Sequence, residues 1–336
     1  MSAAWKTLLG AFVTPPLAAD SRRLYVSTGD GTVRALEPAT GEVAWKVEGL
    51  AGRLSAADGT LLVRAEDGTL TSLQPRTGGV RWSARTGVPG SLAALIDEDR
   101  ALVAGHGLAA VELSSGRLLW ADASGAEVTA PPARSGAHLL TGESDGTLRC
   151  RDRATGSSLW TLRTGKALLA PPLVDAARGR LYLGTTDKRI LEARLEDGEA
   201  GWRWRIGADV ADPGLLLPAT VLYASFDAVL YALRRGGNLA WRGVLPARPL
   251  SGPLLVSGYV VVACLEDELV AFAPETGKRV GSMHTSAGIR TAPVIAGPVL
   301  ALGLRDRSVI AYALGAGAAP AAAPAKVEPT APGRLD

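Results

Sequence analysis

Three histidines and two cysteines have the widest chemical range in this chain of 336 residues, and their spacing decides what they could do. A zinc site needs ligands at short fixed intervals such as CxxC or HxxxH, and neither pattern occurs. His106, His138 and His284 lie far apart, as do Cys150 and Cys264, so no metal-ligating set and no catalytic group is read from them. Aspartates recur as Asp30-Gly31, Asp67-Gly68 and Asp145-Gly146, and a ring of carboxylates could hold a cation. The same dipeptide, between alternating apolar runs, supplies the positive φ angles of a type I′ hairpin turn, and that accounts for it without a metal. The other glycines precede strands rather than helices, which removes a phosphate-cradling loop.

These turns belong to a repeated element. Between Thr14 and Gly49 a Pro-Pro entry leads to a short apolar segment around Leu17, then to Leu24–Thr28, the Asp30-Gly31 turn and Thr32–Leu36. Pro38 ends the pairing, and after Thr40-Gly41 a last strand carries Trp45. This is a four-stranded antiparallel meander. Tryptophan returns at Trp5, Trp45, Trp82, Trp120, Trp160, Trp202 and Trp241, with gaps of 40, 37, 38, 40, 42 and 39 residues. A fixed period of this size signals a propeller or solenoid. Eight entry-plus-hairpin units are present, the last from Thr291 to Leu314 with no tryptophan strand behind it, and one tryptophan strand around Trp5 has no hairpin before it. The two halves complete one another if the chain closes into a ring. The expectation is an all-β, eight-bladed β-propeller over residues 1–314, with residues 2–10 forming the outer strand of the last blade.

Composition fits one large repeat domain. The chain carries 40 glycines and 21 prolines, and most mark turns of the repeat. A net charge of +3 with acids and bases interspersed leaves no basic stripe, so nucleic-acid binding is not expected. A long uncharged run, 249–265, is broken by Gly252, Pro253 and Gly258, which argues against a membrane span. Residues 8–13 are too short an apolar core for a secretory signal, and the spacing from Trp5 to Gly10 matches that from Trp82 to Gly87, so the N-terminus is read as a strand. The chain is then cytoplasmic, or periplasmic or at the outer membrane if a leader has been removed. Cys150 and Cys264 fall three blades apart, beyond disulfide reach, and are read as buried thiols. Residues 315–336 are Ala/Pro-rich without periodicity and are expected to be a disordered tail.

The pattern Ala35-x-Glu37-x-x-Thr40-Gly41-x-x-x-Trp45 resembles the tryptophan-docking repeat of pyrroloquinoline-quinone-type propellers, with good copies at Ser72–Trp82, Ala110–Trp120 and Cys150–Trp160. The seventh unit has Gly281 where tryptophan is expected. The resemblance covers residues 2–314 and two branches share it: quinoprotein dehydrogenases, and non-enzymatic propellers similar to the BamB-type component of outer-membrane protein assembly. The enzymes it resembles use a calcium ion held by carboxylate and amide oxygens, an aspartate base and a vicinal cysteine pair. Here the cysteines are distant, Asn238 is the one asparagine, and the repeats follow without roofing insertions. The resemblance therefore implies a non-catalytic scaffold without a cofactor. It would act as a monomeric ring that binds protein partners, and the BamB-type branch implies an outer-membrane assembly complex. The alternative is a quinone-dependent dehydrogenase or a quinone- or ligand-binding sensor, which would require carboxylates such as Asp58, Asp97 or Asp175 to converge on the ring axis.

A scaffold should diverge where a partner touches it. The candidate partner-binding residues lie in the hairpin turns that depart from the repeat: His106 in Gly105–Leu108, Lys188 and Arg189 after Asp187, Phe226 beside Asp227, Glu266, and Arg305 and Arg307 around Asp306. Phe226 is read as an aromatic in an exposed turn, and arginines and aromatics are the usual anchors of interfaces.

Overall fold

Apolar runs separated by turn dipeptides every eight to twelve residues favour short antiparallel strands over any other element. A computed structural model, which describes residues 2–123 and 125–315, shows eight four-stranded antiparallel sheets. Blade 1 is built from Val13–Ala19, Leu24–Thr28, Val33–Leu36 and Val43–Val47, and six further blades follow the same order. The innermost strands of successive blades pack on one another and ring the axis. The second strands, such as Leu24–Thr28, are buried along their whole length because both faces meet a neighbouring blade. Outer strands such as Val80–Arg85 alternate exposed and half-buried residues, because one face alone is covered. One short 3₁₀ turn, Ala176–Arg178, is the single helical segment among the described residues.

The eighth blade is assembled from both ends of the chain. Val294–Ala296, Val299–Gly303 and Ser308–Ala313 supply three strands, and Ala3–Leu8 adds the fourth, with Ala3 opposite Tyr312 and Leu8 opposite Ser308. The propeller and its closure by the N-terminal strand are as the repeat implied. The expected tail, apart from Gly315, lies outside the described residues.

Each of the seven regularly spaced tryptophans docks on the next blade. The rings of Trp5, Trp45, Trp82, Trp120, Trp160, Trp202 and Trp241 lie against Gly41, Gly78, Gly116, Gly156, Gly198, Gly237 and Gly277, where an added Cβ would fall 2.3–2.7 Å from the indole. All seven glycines also have positive φ, between 69° and 85°, so glycine is required there twice over. Five of the indoles donate to a carbonyl of the same turn, including Trp5 to Pro38 at 2.8 Å and Trp45 to Pro75 at 2.9 Å. The Nε1 groups of Trp120 and Trp160 have no partner. Gly281 breaks the series for a topological reason. In the eighth blade the third and outer strands come from opposite ends of the chain, so there is no turn to receive an indole. A groove of about 790 Å³, lined by Val261, Leu269, Met283, Leu300 and Leu314, remains between blades 7 and 8.

The hairpin turns differ from the type I′ expectation. That type needs positive φ at two central residues, yet only Gly31, Gly68 and Gly146 have it, and Asp30, Asp67 and Asp145 do not. Gly31 N–H donates to Thr28 and Thr28 N–H to Thr32, a three-residue loop whose glycine forms a G1 bulge. The aspartate then has another task. Its Oδ1 accepts the N–H two residues on, at Thr32, Thr69 and Thr147, which closes an Asx turn.

Replacing Trp5 by alanine should cost about 2 kcal/mol, less than the ~3–5 of a fully buried indole because this ring is partly exposed, and lower the melting temperature by roughly 3 °C. Deleting residues 2–10 should lower it much further by removing a whole strand, and thermal denaturation followed by circular dichroism would show both. A deletion that melted like the full chain would disprove ring closure by this strand.

Candidate docking face

In an up-and-down blade the turns alternate between two ends. The turn joining second and third strands emerges on the same face as the connection from the outer strand to the next blade. His106, Lys188, Phe226, Glu266, Arg305 and Arg307 occupy second-to-third turns and Arg189 opens the strand after one, so the topology brings them to one face of the ring. They sit on blades 3, 5, 6, 7 and 8 and do not form one cluster. The opposite face carries the turns that receive the tryptophans.

The local geometry of these residues varies. His106 alone joins two paired strands, with Gly105 opposite Gly107, and its Nε2 lies 3.6 Å from Glu127 Oε1. Arg64, 1% exposed, holds that region from below by donating to the carbonyls of Val88, Leu92 and Ala104. Burial without a carboxylate pushes the Arg64 guanidinium down to about 10. Lys188, Glu266 and Arg307 have φ of 54°, 80° and 68°, a conformation that costs a side-chain-bearing residue about 1 kcal/mol and that glycine adopts freely in the regular repeats. Arg189 pairs with Asp187 at 2.9 Å.

Phe226 is half-buried rather than exposed, because the Arg248 guanidinium stacks over its ring at 3.6 Å from the centroid. A second stack of this kind surrounds Phe12, 45% exposed, with Arg290 at 5.3 Å and Arg307 at 5.0 Å. Sequence reasoning missed Phe12, Arg248 and Arg290 because they lie in the connections between blades rather than in hairpins. Recognising that those connections reach the same face would have found them. Beside Arg248 stands Asp212, at the position taken by Pro15, Pro131 and Pro171 in other repeats. Burial raises its carboxyl to about 6, and Arg248 opposes the rise.

The three aspartates that a quinone–calcium site would draw together are occupied separately. Asp97, fully buried, meets Arg153 at 2.7 Å and Arg134 at 2.9 Å from blade 4. Asp175 meets Arg235 of blade 6 at 3.1 Å, and Asp58 accepts the N–H of Ser21. Each ties one blade to its neighbour. Cys150 and Cys264 are buried free thiols pushed up to about 11 by desolvation, and Asn238 is an exposed turn residue. Among the described residues no group of three or more histidine, cysteine or acidic side chains could hold a metal ion, so these residues do not fit a quinone with its calcium.

Comparison with known proteins supports the same lineage. A family described as outer membrane protein assembly factor BamB matches residues 2–120 and 104–251. The chain belongs to this family. BamB of Legionella pneumophila (strain Paris) is 27% identical over 170 residues, covering 47% of this chain and 44% of that protein. The chain matches less than half the length of the curated BamB relatives. A quinoprotein alcohol dehydrogenase, PedE of Pseudomonas putida, is 31% identical over 80 residues, 24% of this chain and 13% of the enzyme. The crystal structure of BamB from Moraxella catarrhalis superposes with a TM-score of 0.79 at 18% identity, covering 93% of this chain and 99% of that one, a likeness of fold. No helix among the described residues is long and apolar enough to cross a membrane.

Asp212 gives a pH test of the site's electrostatics. Its carboxyl titrates near 6 in the folded chain and near 3.8 otherwise, so the folded state holds the extra proton between those values. Stability should therefore fall as pH rises from about 4 to about 6 and level off above. Asp212→Asn should abolish that slope and add roughly 1–3 kcal/mol at pH 7, measured by denaturant unfolding at several pH values.

Proposed function

We propose that this chain is a non-catalytic docking platform of the bacterial envelope, a monomeric ring that binds protein partners in outer-membrane protein assembly. The observation that carries this reading is the unequal freedom of the two faces. Turns on one face must keep glycine to seat the neighbouring tryptophan, whereas turns on the other have no such duty, and there the repeats diverge into arginine, lysine and phenylalanine. A rigid surface with variable charged and aromatic turns suits recognition more than turnover. Membership of the BamB family supports a partner in the assembly machinery, and the separate pairing of Asp58, Asp97 and Asp175 supports the absence of catalysis. The environment that follows is periplasmic, at the inner surface of the outer membrane.

The test is photo-crosslinking in the native bacterium, with the reactive residue placed at Lys188 or Arg307 on one face and at Thr40 or Thr276 on the other. Adducts with outer-membrane assembly proteins are expected from the first pair alone, and adducts from the second pair alone would reject the assignment. Titration calorimetry with pyrroloquinoline quinone and calcium covers the enzymatic alternative. No heat of binding is expected, and a one-to-one isotherm would overturn the non-catalytic reading.

A further inference from the structure

The sector of this face where blades 8 and 1 meet has a chemistry of its own. Arg290, Arg305 and Arg307 are all exposed, and among the described residues none of them takes part in an ion pair. Their neighbouring carboxylate is already engaged, since Asp306 accepts from Lys6 at 2.7 Å and from Ser308. Arg290 spends its Nε on the Val13 carbonyl at 2.6 Å, which fixes its guanidinium beside Phe12. Arg307 approaches the same ring from the blade 8 hairpin, and its carbonyl accepts the Leu9 N–H at 2.9 Å, so the hairpin is tied to the closing strand. Arg305 is anchored by its own N–H to Gly288 at 2.8 Å.

A guanidinium stacked on an aromatic ring keeps its N–H edge free for a planar, two-pronged anion. The sector therefore offers fixed cationic forks around an exposed apolar ring. Asp306 lies between Arg305 and Arg307, and the Glu266 carbonyl accepts the N–H of Ile289 beside Arg290; this mixed field disfavours a continuous sheet of phosphates while leaving room for discrete carboxylates. We propose, resting on the docking-platform reading, that this sector binds an acidic, extended segment of a protein partner, whose carboxylates pair with Arg290, Arg305 and Arg307 and whose apolar residue covers Phe12.

The test uses the full chain and a fluorescein-labelled decapeptide of alternating glutamate and alanine with one central leucine, followed by fluorescence anisotropy. Saturable binding should weaken about tenfold between roughly 50 and 300 mM salt. The Arg290→Gln, Arg305→Gln, Arg307→Gln triple variant should bind at least about tenfold more weakly, and Arg203→Gln with Arg205→Gln on the exposed outer strand of blade 5 should bind as the parent does. Arg305→Glu alone, at an exposed side chain with no hydrogen bond to lose, should weaken binding even if the triple variant folds poorly. Equal binding by parent and Arg305→Glu, or no binding by the parent, would overturn the proposal. So would equal loss in the blade 5 variant, which would mean unspecific charge attraction. Stronger retention by vesicles containing one third phosphatidylglycerol than by the peptide would assign the sector to a lipid surface instead. In-cell crosslinks from Lys188 that persist while peptide binding fails would sink this site and leave the platform standing. Absence of those crosslinks with peptide binding intact would reject the platform reading.

Discussion

The contact between an indole and the glycine of the next blade holds this architecture together. A single blade has two apolar faces and cannot bury either alone, so stability must come from neighbours. Trp45 against Gly78, repeated around the ring, supplies large apolar burial and in most copies a hydrogen bond to the turn that bears the glycine. The glycine has no side chain because the ring occupies its place. Strand, turn and neighbour are thus specified together, which is why the period of the sequence is so regular.

That coupling explains what could be read from the sequence. Tryptophan spacing and Thr-Gly turns revealed the blades, and the surplus strand around Trp5 revealed the closure, because each is a direct consequence of packing. The turn chemistry was less legible. Asp-Gly fits a type I′ hairpin and equally a type I turn with a bulged glycine, and only the backbone angles at Asp30 and Gly31 separate the two. The face was half legible. Divergent hairpins pointed to Arg305 and Arg307, but Phe12 and Arg290 come from different blades 278 residues apart in sequence, and no local pattern announces that they meet. Arg64 was invisible for a similar reason, since its partners are carbonyls of the following blade.

Charge is distributed with the same division of labour. Between blades, arginines find carboxylates: Arg153 with Asp97, Arg235 with Asp175, Arg151 with Asp122. Such buried pairs add little net stability over apolar packing but penalise any misaligned neighbour, because a lone buried charge is costly. On the variable face, arginines instead stack on Phe12 and Phe226 and keep their polar edges toward solvent. The same residue type therefore fixes blade order in one place and remains available in the other.

The missing tryptophan at Gly281 gives the ring a seam. Seven interfaces are latched by an indole, whereas the eighth has a groove and a sheet whose outer strand is not covalently continuous with the rest of its blade. Local openings follow the path of least buried area, so hydrogen exchange and mechanical strain should enter the molecule between blades 7 and 8. A closed circle built from equal units would have no preferred point of rupture. This one does, at the one blade boundary that no indole crosses.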